Sequence, residues 1–167
     1  MIRMLRVMTL GFALLAPAAA RASDNADHAA IRGVMKGTWD KPDSPVAVGP
    51  IVVRGDHALA GWTQGEMGGR ALLRRKASQW SVIFCAGDDL KRADILHRIG
   101  LPQADADAVA AMLAAAEKAA DPSRVAMFSR FEGLVQVSGE DSAAQTHNGA
   151  AHPAPAHAPP HGHAKGH

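Results

Sequence analysis

Apolar side chains recur at helical spacing near the start of the chain. Between positions 24 and 39, one face of a helix would carry Ala30, Ile31, Val34, Met35 and Thr38. Asp24 is a favourable N-cap residue, because its carboxylate accepts hydrogen bonds from unpaired backbone N–H groups. The Trp-Asp-Lys-Pro run at 39–42 is typical of a helix end. The pattern therefore predicts an N-terminal helix over residues 24–39.

Four segments in the middle of the chain have the pattern of β-strands. Short runs at 55–56, 65–69 and 77–78 separate them, and the glycine-rich run at 65–69 is expected to be a turn. Prolines at 42, 45 and 50 are expected to keep the stretch before the first strand extended or irregular. In the last segment, we expect one half-buried strand in which Trp80, Val82 and Phe84 alternate with Ser81, Ile83 and Cys85. The predicted strands of this antiparallel meander cover residues 51–54, 58–64, 70–76 and 79–86.

Helical patterns return after the strands. Asp88 or Asp89 is expected to cap a short helix that ends near Arg98, and Gly100 stops it. Pro102 opens an alanine-rich helix to about residue 119, and the Asp-Pro pair at 121–122 caps a last helix. A short strand or extended piece is expected at 134–137. The predicted fold is α+β, with an N-terminal helix, a four-stranded antiparallel meander and C-terminal helices that cover one face.

The first 22 residues have the pattern of a secretory signal peptide. Arg3 and Arg6 form a basic start, an apolar stretch follows, and the Ala-Arg-Ala run at 20–22 is a suitable cleavage site before Ser23. Cleavage after Ala20 and an uncleaved N-terminal anchor are the alternatives. The apolar stretch is too short to span a bilayer. We therefore expect export to the periplasm, and a single α+β domain over residues 23–137.

The charge balance argues against a nucleic-acid partner. The chain of 167 residues has 18 Lys and Arg against 16 Asp and Glu. Removal of Arg3, Arg6 and Arg21 with the signal segment leaves 15 basic residues against 16 acidic ones. A phosphate backbone would thus meet no excess of positive charge. The single cysteine excludes an intrachain disulfide.

Residues 138–167 form a low-complexity segment of Ala, His, Pro and Gly. Such a composition cannot bury enough apolar surface to offset its ordering entropy, so we predict disorder in the absence of a ligand. Neutral imidazoles bind Cu(II), Zn and Ni, with a tendency to favour Cu(II). The irregular spacing is typical of a capture tail, and the alternative is a solubilising tail with incidental metal affinity. The candidate metal ligands are His147, His152, His157, His161, His163 and His167.

A second candidate metal site combines Met67 with Cys85, joined by His57 or Met35. Soft sulfur ligands select Cu(I), and the glycines at 65–69 would expose Met67. The alternative is that both sulfur residues fill the core, which is their commoner use. His28 and His97 have no partner in the sequence, so we interpret them as surface or structural residues.

The core of the chain resembles a family of bacterial copper uptake system-associated proteins. The resemblance rests on WTQGEMGGRALLR at 62–74, WSVIFCAGD at 80–88, TWD at 38–40 and FEG at 131–133. Members of that family carry an export signal and often a histidine-containing C-terminus. The resemblance implies a periplasmic location and a link to copper. The family's name reflects genomic context, so no reaction follows from it.

Catalytic patterns are weak, and we predict that the protein is not an enzyme. Cys85 with a histidine would be a nucleophile pair, and Glu66, Asp88 and Asp89 are possible acids or bases. No spacing links them, and no HExxH motif or nucleophile elbow is present. The sequence therefore favours a copper-binding accessory protein whose partner is a copper-uptake membrane transporter or receptor. Two rival functions are a small-molecule-binding or enzymatic domain with a pocket, and an interaction module with a non-selective metal-buffering tail.

Overall fold

The structure, a computed structural model, describes residues 18–137, with side chains from Asp24 onward. Residues 1–17 of the predicted signal segment lie outside the described residues. The predicted disordered segment 138–167, with its six histidines, also lies outside them. Among the residues described, no helix has the length and apolar character needed to cross a membrane. The elements in chain order are α1 (Ala18–Trp39), β1 (Ala47–Arg54), β2 (His57–Gln64), β3 (Met67–Lys76), β4 (Gln79–Ala86), α2 (Ala93–Arg98), α3 (Gln103–Lys118), α4 (Pro122–Met127) and β5 (Leu134–Gln136).

The α+β class is confirmed, and the sheet has five strands in the part of the chain that the structure describes. All neighbours are antiparallel, in the order β1-β2-β3-β4-β5. The predicted count of four strands was therefore too low. The fifth strand is the short piece expected at 134–137, and it pairs with Phe84–Ala86 at the edge of the sheet. β1 also begins earlier than expected, at Ala47, because a register shift between Val48 and Ile51 carries the pairing past Pro50.

Helix α1 begins at Ala18, so the predicted start at Asp24 was wrong and Asp24 lies inside the helix. Alanine is the strongest helix former, and the alanines at 18–20 extend the helix upstream. The predicted end at Trp39 is confirmed. Beyond the end, Asp40 Oδ1 accepts a hydrogen bond from Val46 N at 2.6 Å, which holds the connection to β1.

The sheet is covered on both faces. Ile31 and Met35 of α1 are fully buried against one face, in a core with Ala60, Ala71 and Val82. On the other face, α2 and α3 cover the sheet, as predicted for the C-terminal helices. That second core contains Leu59, Leu72, Leu96, Val109 and Leu113.

Strand β4 does not keep the simple alternation predicted for it. Leu72 pairs with Phe84 and Leu73 pairs with Val82, so β4 contains one extra residue at this point. Such a bulge shifts the following side chains to the opposite face. As a result Cys85, not Phe84, joins Trp80 and Val82 in the core beneath α1, whereas Phe84 packs with the core on the other face.

The segment that follows α4 carries the chain around the end of the sheet. Phe128 is fully buried beside Gly61, on the face that α3 covers. Phe131 packs against Trp62 on the face that α1 covers. The chain therefore crosses from the face that α3 covers to the face that α1 covers before β5 begins. β5 then borders one side of the space between α1 and the sheet.

The predicted turn at 65–69 is shorter in the structure. Only Gly65 and Glu66 lie between β2 and β3, and Met67 to Gly69 already pair with β2. The glycines at 68 and 69 serve close packing, because α4 and the chain after it lie directly on them. A Cβ on Gly68 would meet Met127 O at 2.8 Å, and one on Gly69 would meet Phe131 Cβ at 2.9 Å.

Substitution of Gly68 by Ala is expected to lower the free energy of unfolding by about 1–3 kcal/mol. The added methyl group would lie 2.8 Å from the backbone oxygen of Met127, and a backbone atom cannot change rotamer to relieve the contact. Gly33→Ala is the matched control. A Cβ there has no neighbour within 4 Å, and the change is expected to stabilise α1 by up to about 1 kcal/mol. Urea denaturation of both variants measures the difference. Equal stability of the two variants would contradict the close packing at Gly68.

Candidate functional site

The space under α1 contains a cavity of about 220 Å³. It lies between the C-terminal half of α1, strands β2 and β4, and the chain around β5. Its walls carry three aromatic rings, two sulfur-bearing side chains and one amide, with three valines completing the lining. These six side chains are Trp39, Trp62, Phe131, Met35, Cys85 and Gln64.

Two features of the local sequence shape the aromatic wall. Trp62 pairs across the sheet with Gly69, which has no side chain to cover the indole. The Trp62 and Phe131 rings meet edge to face, with centroids 5.8 Å apart and planes at 77°. This is a favourable arrangement for aromatic pairs. The indole therefore extends over Gly69, where an added Cβ would lie 3.0 Å from its Cζ2, and it lines the cavity beside Phe131.

Gln64 fixes the rim of the cavity to the end of α1. Its Nε2 donates to Trp39 O at 2.8 Å and to Ser44 O at 2.7 Å. Both amide hydrogens are thereby used. Gln64 Oε1 has no hydrogen-bond partner among the described residues and is not fully buried, so this amide presents an acceptor.

Trp62 Nε1 is a buried donor without a partner. Within the part of the chain that the structure describes, it is the one buried side-chain nitrogen or oxygen that makes no hydrogen bond. An unmade hydrogen bond of a buried donor typically costs about 1–3 kcal/mol. Orphaned groups of this kind are uncommon in folded proteins, and this one belongs to a side chain of the cavity wall.

Cys85 contributes a neutral thiol to the cavity. Burial raises the pKa of Cys85 to about 12, because the thiolate would be poorly solvated there. The thiol is thus fully protonated at neutral pH. In this state it behaves as a small apolar group, and it is a poor nucleophile.

The structure does not bring together the whole predicted Cu(I) site. Cys85 pairs with Ala71, and Met67 lies four positions before Ala71 on β3, roughly 13 Å from it at the usual rise per residue. Met67 is 47% exposed beside the turn, whereas Cys85 is buried. Of the suggested partners, only Met35 shares the cavity with Cys85.

His57 lies at the opposite end of β2 from the cavity, across from Arg74. Its pKa is lowered by partial burial and by the positive charge of Arg74, which outweigh Asp105 and Asp56. Among residues 24–137, no group of three or more His, Cys, Asp or Glu side chains is placed to hold a metal ion. The six candidate ligands of residues 138–167 lie outside the described residues.

The candidate acids and bases are also separate from Cys85. Glu66 is exposed in the turn after β2, where it accepts a hydrogen bond from Arg130. Burial alone would raise the pKa of Asp88, but the hydrogen bond from Ser129 and the positive charges of Lys91 and Arg70 have the larger combined effect. The pKa of Asp88 therefore lies below its usual value. None of Glu66, Asp88 and Asp89 lines the cavity.

Comparison of the chain with protein-family models, with curated proteins and with solved structures finds no match. The resemblance to copper uptake system-associated proteins stays a prediction that rests on the residues quoted for it.

Sequence reasoning missed most of the cavity wall. Trp39 and Phe131 fit the patterns of a helix end and of a helical face, and nothing in the pattern placed them together. Gln64 gave no signal, because a polar residue at the end of a strand is common. The bulge in β4 determines which face of the sheet carries Cys85, and the sequence pattern did not predict that bulge.

Proposed function

We propose that this protein is an exported, periplasmic copper-binding accessory protein of a copper uptake system. Residues 138–167 capture the ion, and the folded domain docks on a copper-uptake membrane transporter or receptor. The observation that carries the proposal is the set of six histidines that begins ten residues after Val137, the last described residue of the fold.

The chemistry of this segment suits capture of a divalent ion. Imidazoles with an ordinary pKa of about 6.5 are mostly neutral at pH 7 and can bind a metal. Two to four rings from a segment with several closely spaced histidines can meet one ion without a preformed cage. Cu(II) is favoured over Zn and Ni by the usual order of affinities, although the same imidazoles also bind Zn and Ni.

The contacts of the folded domain fit a protein in which residues 138–167 bind the metal and the domain binds the partner. The part that the structure describes offers no group of three ionisable ligands for a metal, and its two candidate sulfur ligands, Met67 and Cys85, are far apart. Capture by the histidine-rich segment leaves the domain as the part that recognises a partner. The signal segment and the resemblance to copper uptake proteins support the periplasmic setting.

Replacement of the six histidines by Asn in the chain from Ser23 onward is expected to remove most Cu(II) binding without unfolding the domain. Titration against a competing chelator measures the stoichiometry, and circular dichroism measures the fold. Acidification below about pH 6 is expected to release the ion from the unmodified chain, because protons compete for the imidazoles.

The matched control replaces the domain histidines His28, His57 and His97 by Asn. It should retain Cu(II) binding. Unchanged Cu(II) stoichiometry in the variant that lacks the six C-terminal histidines would overturn the assignment of metal capture to residues 138–167. Equal affinity for Cu(II), Zn and Ni would contradict a copper-specific function and favour a general metal buffer. Tight Cu(I) binding under reducing conditions by the variant that lacks the six histidines would place a Cu(I) site in the folded domain, where Met35 and Cys85 are the sulfur-bearing side chains that share a cavity.

A further inference from the structure

The cavity under α1 has the size of a small-molecule site. An engineered protein cavity of about 150 Å³ holds benzene. At about 220 Å³, this cavity has room for a molecule larger than a single ring. Close packing is the rule in protein interiors, and few voids exceed the size of a water molecule. A cavity of this volume, reached from one side and lined mostly by apolar side chains, is therefore suited to a small-molecule ligand.

The lining selects a neutral ligand. Among the residues that the structure describes, no Asp, Glu, Lys, Arg or His belongs to the cavity wall, and Cys85 is protonated. Transfer of a carboxylate or an ammonium group into such surroundings without a partner is strongly unfavourable. A charged molecule would thus be rejected.

The aromatic wall selects a planar ligand. Trp39, Trp62 and Phe131 are three of the seven aromatic residues in the whole chain, and they surround one space. Aromatic rings pack favourably in stacked or edge-to-face geometry with other rings. Met35 adds a polarisable thioether, which also makes favourable contacts with aromatic rings.

One polar group is expected on the ligand. Both amide hydrogens of Gln64 are held by backbone carbonyls, so its Oε1 is the acceptor that the wall presents. A hydroxyl group on the ligand would donate to this oxygen.

We propose that the cavity between α1, the sheet and β5 binds a neutral aromatic molecule of one or two rings that carries a hydroxyl group. Access is from the β5 side. That strand has three residues, all exposed, and it lies at the edge of the sheet. Val135, on the cavity wall, is 43% exposed and marks the rim. This ligand site is independent of copper binding by residues 138–167.

Calorimetric titration of the full chain with 2-naphthol tests the proposal, with naphthalene and 2-naphthoate as matched probes. We expect saturable binding of one 2-naphthol. Naphthalene should bind about fivefold to tenfold more weakly, because it lacks the hydrogen bond to Gln64. 2-Naphthoate should bind at least about tenfold more weakly than 2-naphthol, because its carboxylate would be desolvated without a cation.

The indole N–H signals in NMR spectra locate the bound molecule. The chain has three tryptophans, and Trp39 and Trp62 line the cavity. Trp80 lies outside it and donates its Nε1–H to Asp27 at 3.1 Å. 2-Naphthol should shift the Trp39 and Trp62 signals and leave the Trp80 signal in place.

Two variants separate this site from non-specific binding. Cys85→Leu adds carbon atoms to the cavity wall and should weaken 2-naphthol binding at least about tenfold. Val52→Leu adds one carbon to the core on the other face and should leave binding unchanged. If Cys85→Leu does not fold, Gln64→Met serves instead, because it should abolish the preference for 2-naphthol over naphthalene.

Three results would overturn the proposal. The first is the absence of saturable binding up to the solubility limit of 2-naphthol. The second is equal binding of 2-naphthol and 2-naphthoate. The third is binding that shifts the Trp80 signal as much as the other two, since this would place the molecule outside the cavity.

Discussion

Replacement of Glu117 by Gln is expected to lower the free energy of unfolding by about 3–5 kcal/mol. Glu117 on α3 accepts two hydrogen bonds from Arg70 on β3, at 2.6 Å from Nε and 2.9 Å from Nη2. Arg70 is 1% exposed, and Glu117 is 8% exposed. The substitution removes the negative charge and leaves the guanidinium in the core without its compensating charge. The cost of that unpaired charge exceeds the value of the pair itself.

The remaining contacts of Arg70 do not replace the carboxylate. Nη1 donates to Gly87 O and to Asp88 Oδ1, both at 3.1 Å, and the guanidinium lies 5.5 Å from the centre of the Phe128 ring. The Asp88 side chain is 61% exposed, so solvent screens its charge. Glu117 is therefore the principal counter-charge for Arg70. Urea denaturation followed by tryptophan fluorescence measures the loss.

The control removes both charges at once. Arg70→Met combined with Glu117→Leu should leave the protein far closer to its original stability than Glu117→Gln does, because no buried charge remains unpaired. A loss below about 1 kcal/mol for Glu117→Gln would contradict the buried pairing.

Cys85 is expected to react with thiol reagents about a thousandfold more slowly in the folded chain than in urea. At pH 8, a thiol with an ordinary pKa of 9.0 is ionised to about one part in ten. A pKa of about 12 leaves about one part in ten thousand as thiolate, and the thiolate is the reactive form. Since Cys85 is the only cysteine in the sequence, the kinetics of dithionitrobenzoate or iodoacetamide report on this site alone.

The pH dependence provides a second measurement. The rate in the folded protein should rise about tenfold per pH unit up to about pH 11, whereas the rate in the unfolded chain levels off near pH 10. The folded-state pKa is raised above the unfolded value. The neutral thiol therefore favours the fold below about pH 9, and this stability is lost as the pH rises towards 12. A folded-state rate within tenfold of the rate in urea would show that the thiol is not buried.

Much of the fold was predictable from local pattern. β4 and its turn at Ala77 and Ser78 have the predicted bounds, and both turn residues adopt the positive φ angles of a tight hairpin. The cap at Asp121 is also confirmed, since its carboxylate accepts hydrogen bonds from Ser123 N and Arg124 N. Each of these features depends on residues within a few positions of one another.

The errors arose where distant parts of the chain meet. Gly68 and Gly69 suggested a turn, whereas they lie in β3 and leave room for Met127 and Phe131 to pack directly on them. The alternation in β4 suggested that Phe84 belongs with Trp80, and a bulge opposite Leu72 and Leu73 gives that place to Cys85. In both cases, the deciding contact involves another element of the fold.

The sequence by itself determined the α+β class, most element boundaries of the domain and the position of the histidine-rich segment, because hydrophobic period, caps and composition are local properties. Only the tertiary structure decided that Met35, Gln64 and Cys85 surround one cavity and that Met67 lies apart from it. Those relations depend on strand register and on the path of the chain around the end of the sheet. A shift of one residue in register moves a side chain to the opposite face, and the pattern of a single strand does not record where that shift occurs.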